Sequence, residues 1–110
     1  MEIDCFVCDS CGQEVKIYEG VLSWLNKNGE ISNFRVTHRD DAQRSCEVRG
    51  NNERQDLYKV SSFGGYLELV QELLFWWTKG FQIRDFERLK EIMGNLSHYI
   101  NEKLSALVGE

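Results

Sequence analysis

The segment Cys8-Asp9-Ser10-Cys11-Gly12 limits the folds open to this chain more than any other. Two thiols separated by two residues let one tight turn present both sulfurs to a single ion, and a following glycine eases the backbone round that turn. A second metal-capable pair, His38 and Cys46, lies downstream with seven residues between its members. Cys8, Cys11, His38 and Cys46 together make a soft set of four donors, enough to close one structural zinc site. At 110 residues the chain has only a modest core with which to hold a small β-layer, so such a site matters.

The expected role of the zinc is structural. Three thiolates and one imidazole fill the tetrahedron, whereas a catalytic zinc keeps a position open for water. Binding of this kind contributes on the order of 10 kcal/mol to folding, comparable to the whole stability of many small domains. Removing the metal is therefore expected to unfold at least the β-part. Cys5 repeats the same spacing with Cys8 and is an alternative ligand. The glycine after Cys11 favours Cys8 and Cys11, which leaves Cys5 as a small buried hydrophobe on the strand before them. Two disulfides would need an oxidising compartment. The acidic start, Met1-Glu2-Ile3-Asp4, lacks the basic region of a signal peptide, and the expectation is a cytoplasmic protein. The longest apolar run, Leu73-Leu74-Phe75-Trp76-Trp77, is too short to cross a bilayer.

On Cys8, Cys11 and Gly12 the chain resembles a zinc knuckle of the rubredoxin or zinc-ribbon type, as found in many small bacterial and phage proteins. The resemblance covers roughly residues 1–46 and departs from the usual pattern at His38-x7-Cys46, where a second Cys-x2-Cys would stand. Because zinc knuckles occur in nucleic-acid binders, it also implies a regulator of that kind as an alternative function.

Residues 1–7 read as a short strand entering the knuckle, and Val15, Ile17, Val21, Leu22, Trp24 and Leu25 read as extended, with a break at Gly20. Asn28-Gly29 tolerates the positive φ of a two-residue type I′ turn, so a hairpin is expected. Its register sets Lys27 against Glu30, Trp24 against Asn33 and Val21 against Val36. Phe34, Val36 and His38 would then share a face with Val21 and Leu25. That puts His38 at the open end of the hairpin, where the chain can fold back to the knuckle. Gly50-Asn51-Asn52 signals a loop, and Leu57-Tyr58-Lys59-Val60 reads as a short edge strand.

From Tyr66 the period becomes helical, with Leu69, Val70, Leu73, Trp76 and Trp77 at three- and four-residue steps. Ser61 or Ser62 is the expected cap and Gly80 the stop. A second helical segment starts near Asp85, carries Phe86, Leu89, Ile92, Met93, Leu96, Tyr99, Ile100, Leu104 and Leu107, and is expected to break at Gly94-Asn95. The short link between the two favours an antiparallel helix pair.

Three surface groups bear on function. Adjacent helical residues point about 100° apart, so Trp76 and Trp77 cannot both face inward. Phe75, Trp76, Trp77 and Phe81 are thus the candidate contact surface for a protein partner or for self-association. Arg35, Arg39, Arg44, Arg49 and Arg54 could meet phosphates, with Arg39, Arg44 and Arg49 the candidates, but Asp40, Asp41, Glu47 and Glu53 are interleaved. The net charge of −5 also argues against a dedicated nucleic-acid binder. His38-Arg39-Asp40-Asp41 suggests a metal-dependent nuclease or phosphotransfer enzyme, yet no further residue completes a catalytic arrangement.

The sequence thus predicts an α+β protein, a zinc-stabilised β-hairpin unit over residues 1–60 followed by two or three helices over 61–110, forming one domain. The favoured function is a non-enzymatic interaction module acting through its helical aromatic face.

Overall fold

A computed structural model describes residues 5–107, with the side chains of 6–106. The chain is α+β, with antiparallel strands first and helices after them. Strands β1 (Cys5–Val7) and β2 (Glu14–Lys16) form a two-stranded antiparallel ribbon with the knuckle at its tip. A 3₁₀ turn, Ile17–Glu19, leads into β3 (Gly20–Lys27), which pairs with β4 (Glu30–His38). Strand β5 (Glu53–Asp56) adds to the outer edge of β3. A short helix α1 (Leu57–Val60), the long helices α2 (Phe63–Thr78) and α3 (Phe86–Leu107), and a two-residue strand β6 (Gln82–Ile83) between them complete the fold. The second sheet runs β5-β3-β4-β6, with β6 parallel to β4.

The turn at Asn28-Gly29 has φ of 55° and 77°, the two left-handed residues a type I′ turn demands. Near the turn the expected register holds, with Lys27 against Glu30 and Leu25 against Ser32. Beyond that the ladder slips by one, because Asn33 and Phe34 together oppose Trp24 and Asn33 takes a φ of 58°. This is a β-bulge, and its cause lies outside the hairpin. Asn51 accepts from Asn33 Nδ2 at 3.0 Å, and its own amide donates to the Asn33 carbonyl at 3.0 Å and to Ser23 Oγ at 2.9 Å. The bulge corrects the expected facing: Val36 stands opposite Leu22, Val21 opposite Thr37, and His38 opposite Gly20.

Leu57–Val60 is a correction too, being one helical turn rather than an edge strand; the edge is Glu53–Asp56 just before it. Leu57 and Val60, three residues apart, are both buried, as a helix places them. Ser62 caps α2, accepting from Gly65 N–H at 3.1 Å. Gly65 is required there, since a Cβ would overlap the Lys59 carbonyl where α1 crosses α2. Helix α3 runs unbroken through Gly94-Asn95, contrary to the expected interruption. One helical glycine costs about 1 kcal/mol, and the buried row Leu89, Ile92, Leu96 and Ile100 on either side outweighs that. Phe86 and Leu104, at the ends of the expected stripe, are about half exposed, and the Leu107 side chain lies outside the described residues.

One core joins both portions of the chain. Phe6, Val15, Leu22, Trp24, Ile31, Phe34 and Val36 from the strands pack with Leu57, Val60, Leu69, Leu73, Leu89, Ile92 and Leu96 from the helices. No helix among the described residues is long and apolar enough to cross a membrane.

Candidate metal centre

The knuckle is a tight turn built on backbone bonds. Cys8 N–H donates to the Gln13 carbonyl at 2.8 Å, Gly12 N–H donates to the Cys8 carbonyl at 2.9 Å, and Gly12 turns the chain with a φ of 79°. The same turn aims two N–H groups, from Ser10 and Cys11, at Cys8 Sγ, each at 3.4 Å. Donors aimed at a sulfur favour its thiolate, the form that binds a metal.

The turn is docked against β4, α3 and the loop that follows β4. Asp9 N–H donates to the Val36 carbonyl and Val36 N–H returns a bond to Asp9 Oδ2, both at 2.8 Å. Arg88 of α3 grips the same Asp9 oxygen at 2.7 Å. Ser10 Oγ donates to the Cys46 carbonyl at 2.6 Å and ties the knuckle to the loop that follows β4. Gly20, the strand partner of His38, has no room for a side chain, because Val15 and Leu57 press on it.

These contacts bring Cys8, Cys11, His38 and Cys46 together, with one donor atom from each lying within 4.8 Å of all the others. All four candidate ligands read from the sequence thus meet in one place. The Cys5 side chain lies outside the described residues, so the alternative ligand is neither joined to this group nor separated from it. His38 is 1% exposed, and its ring orientation is fixed. Its Nε2 lies 2.8 Å from the Glu14 carbonyl oxygen. A carbonyl only accepts, so Nε2 is the donor of that bond and Nδ1 is the ring nitrogen that faces the sulfurs. Nδ1 stands 3.6 Å from Cys11 Sγ and 3.9 Å from Cys46 Sγ. Metal-bound histidines are commonly held in this way, with the second ring nitrogen on a carbonyl.

The donor set fits a tetrahedral ion. Metal–sulfur bonds of about 2.3 Å and metal–nitrogen bonds of about 2.0 Å at tetrahedral angles separate sulfur from nitrogen by about 3.5 Å. The two sulfur–nitrogen distances lie within a few tenths of that value. The group could hold a metal ion, and its members differ in readiness. Burial acts against ionisation of Cys8, but N–H donors of Cys11, His38 and Ser10 outweigh it and hold the thiol at about 6. Burial, then the nearness of Cys8 and Cys11, pushes the Cys46 thiol up to about 11.

The chain matches no family model, no curated protein and no solved structure.

The other candidate residues lie apart. In the loop after β4, Arg39 pairs with Asp56 and Arg49 with Asp40, each at 3.2 Å, and Glu47 pairs with Arg54 of β5 at 2.6 Å. Asp40 and Glu47 each donate a backbone N–H to the other's carboxylate at 2.9 Å, while Asp41 Oδ1 caps the turn by accepting from the N–H groups of Gln43 and Arg44. Arg44 Nη1 is buried without a hydrogen-bond partner among the described residues. The aromatic group divides. Trp76 packs on the core between Phe75 and Phe81, with ring centroids at 5.2 and 4.8 Å, whereas Phe75 and Trp77 remain 51% and 61% exposed.

The residues that sequence reasoning missed are the supports: Asp9, Ser10 and Arg88 by side chain, and Glu14 by its carbonyl. Asp9 and Ser10 carried a local signal, since both residue types bond nearby backbone in turns. Arg88 carried none.

Proposed function

We propose that Cys8, Cys11, His38 and Cys46 hold one structural zinc ion and that the protein is a non-enzymatic module working through protein contact. The observation that carries the metal reading is the fixed imidazole of His38, with Nε2 against the Glu14 carbonyl and Nδ1 facing two sulfurs. Three sulfur donors favour zinc over the harder magnesium or calcium, and four protein donors leave no position for a reacting water. The contact reading draws support from the exposed part of α2, where Phe75 and Trp77 stand out from the core. The arginines of the loop after β4 are mostly neutralised by acids beside them, which is poor provision for phosphate binding.

Metal analysis of the reduced protein tests the first part. The expected result is one zinc per chain, lost on Cys8→Ser or Cys11→Ser together with protection of the β1–β2 amides from hydrogen exchange. A metal-free protein with those amides fully protected would overturn it. Nucleic acid that co-purifies, and that is released by changing Arg39, Arg44 and Arg49 together, would overturn the contact reading.

A further inference from the structure

Helix α2 has two apolar faces. Leu69 and Leu73 are buried in the core with Tyr66 and Trp76 packed beside them. The other face carries Phe63, Leu67, Val70, Leu74 and Trp77, at alternating steps of four and three residues. At about 100° per residue these five fall within roughly 40° of one line. Their mean step is that of a coiled-coil seam, about 3.5 residues. Phe63 is 61% exposed, Leu67 43%, Leu74 52% and Trp77 61%, and Val70 is half-buried outside the core. Helix α3 differs, presenting Glu87, Lys90, Glu91, Glu102 and Lys103 to solvent.

We infer that this stripe is a self-association seam, on which α2 packs antiparallel against α2 of a second copy about a two-fold axis at Val70. The inference rests on the contact reading above and names the partner. Its first support is the order of the side chains, aromatic, leucine, valine, leucine, aromatic, which reads the same in both directions. A two-fold contact needs such a self-complementary surface. Rotation about Val70 sets Val70 against its own copy, Leu67 beside Leu74 of the partner subunit, and Phe63 beside Trp77 of the partner subunit. The smallest residue then sits where two crossing helices come closest, and the aromatics sit where they diverge.

Charge points the same way. The chain carries −5, so two copies repel over most of their surface. The stripe has no charge of its own, and the charges of α2, Glu68 and Glu72, lie about 140° and 180° round the helix from it. The stripe is therefore where two acidic copies can meet without opposing like charges. It offers no cation to a nucleic acid or an anionic lipid. The exposed area of the five residues is on the order of 500 Å² per chain, against about 800 Å² per partner in a standard interface. Gln71 and Thr78 along one flank add to it, which suits a reversible dimer.

The test uses the zinc-loaded chain in sedimentation velocity from micromolar to sub-millimolar concentration. The wild type is expected to shift from monomer to dimer mass. Val70→Glu and Val70→Lys, each alone, set like charges face to face on the axis and are expected to stay monomeric, with unchanged helical circular dichroism and zinc content. Mixed in equal amounts, the two variants are expected to recover the dimer. Leu74→Gln, at a half-exposed position, repeats the loss without a new charge. A wild type that stays monomeric overturns the inference, as does one that dimerises equally well with either Val70 variant. A monomer with intact zinc leaves the contact reading standing with another partner, whereas a chain without zinc fails the metal reading on its own assay.

Discussion

Around the knuckle, order comes from directed donors: Ser10 and Cys11 N–H on Cys8 Sγ, Asp9 on Val36, and Nε2 of His38 on the Glu14 carbonyl. In the helices it comes from burial of Leu69, Leu73, Leu89, Ile92 and Leu96, none of which needs a partner at a fixed angle. The contrast bears on how each region fails. A directed arrangement around an ion is lost almost whole when one donor goes, because the remaining charges and lone pairs have no other partners. An apolar interface weakens by increments, each set by the volume removed.

The largest expected effect is on the directed side. Stripping the metal with a chelator should destabilise the β-ribbon by on the order of 10 kcal/mol. Hydrogen exchange read strand by strand would show whether α2 and α3 outlast it. If they do, the contrast sharpens into two cooperative units. If every amide opens together, the shared core has made them one.

On the apolar side, Leu96→Ala, at a site with 0% exposure, should cost about 2–5 kcal/mol in denaturant unfolding of the metal-loaded protein and leave zinc content unchanged. Arg88→Ala is the substitution that crosses the boundary, since Arg88 lies in α3 and holds Asp9 of the knuckle. It should cost about 1–2 kcal/mol and weaken metal binding roughly tenfold, as loss of an outer support commonly does. A competition assay with a chromogenic chelator would read the second effect, and no change in affinity would confine Arg88 to the helical side.

In the folded arrangement Cys8 is drawn down to about 6 and Cys46 pushed up to about 11 from a common 9.0. With the metal stripped and the ribbon open, both thiols should lose these opposite shifts and titrate together near 9.0, as followed by thiolate ultraviolet absorbance. Separate titrations at about 6 and about 11 would show that the ribbon keeps its geometry without an ion. The smallest effect belongs to Trp77→Ala. With that side chain mostly exposed, stability should change by no more than about 0.5 kcal/mol, even as association through α2 is lost.

Much of this was legible in the sequence where a single short segment decides the outcome. Asn28-Gly29 specifies its turn by its own φ preferences, Ser62 its cap, and the four donors their chemistry. What was not legible depends on segments meeting from afar. The bulge at Asn33 is held by Asn51, and within the hairpin only an asparagine's tolerance of positive φ hints at it. Leu57–Val60 is too short for alternation to be told from a helical step, and the crossing with α2 at Gly65 decides it. Gly94 reads as a break on propensity alone, and the buried row beside it decides otherwise. In the site, the four donors that meet were readable, but the Glu14 carbonyl that orients the His38 ring belongs to no residue type, and Arg88 stands 79 positions from its partner.

The order of the donors along the chain has a consequence for synthesis. Cys46 is the last of the four, so all the proposed donors emerge from the ribosome ahead of α2 and α3. On the zinc reading, a growing polypeptide captures its ion before the helices that will bury Trp24 and Phe34 are free to pack. Arg88 arrives afterwards, as a latch on a turn already set.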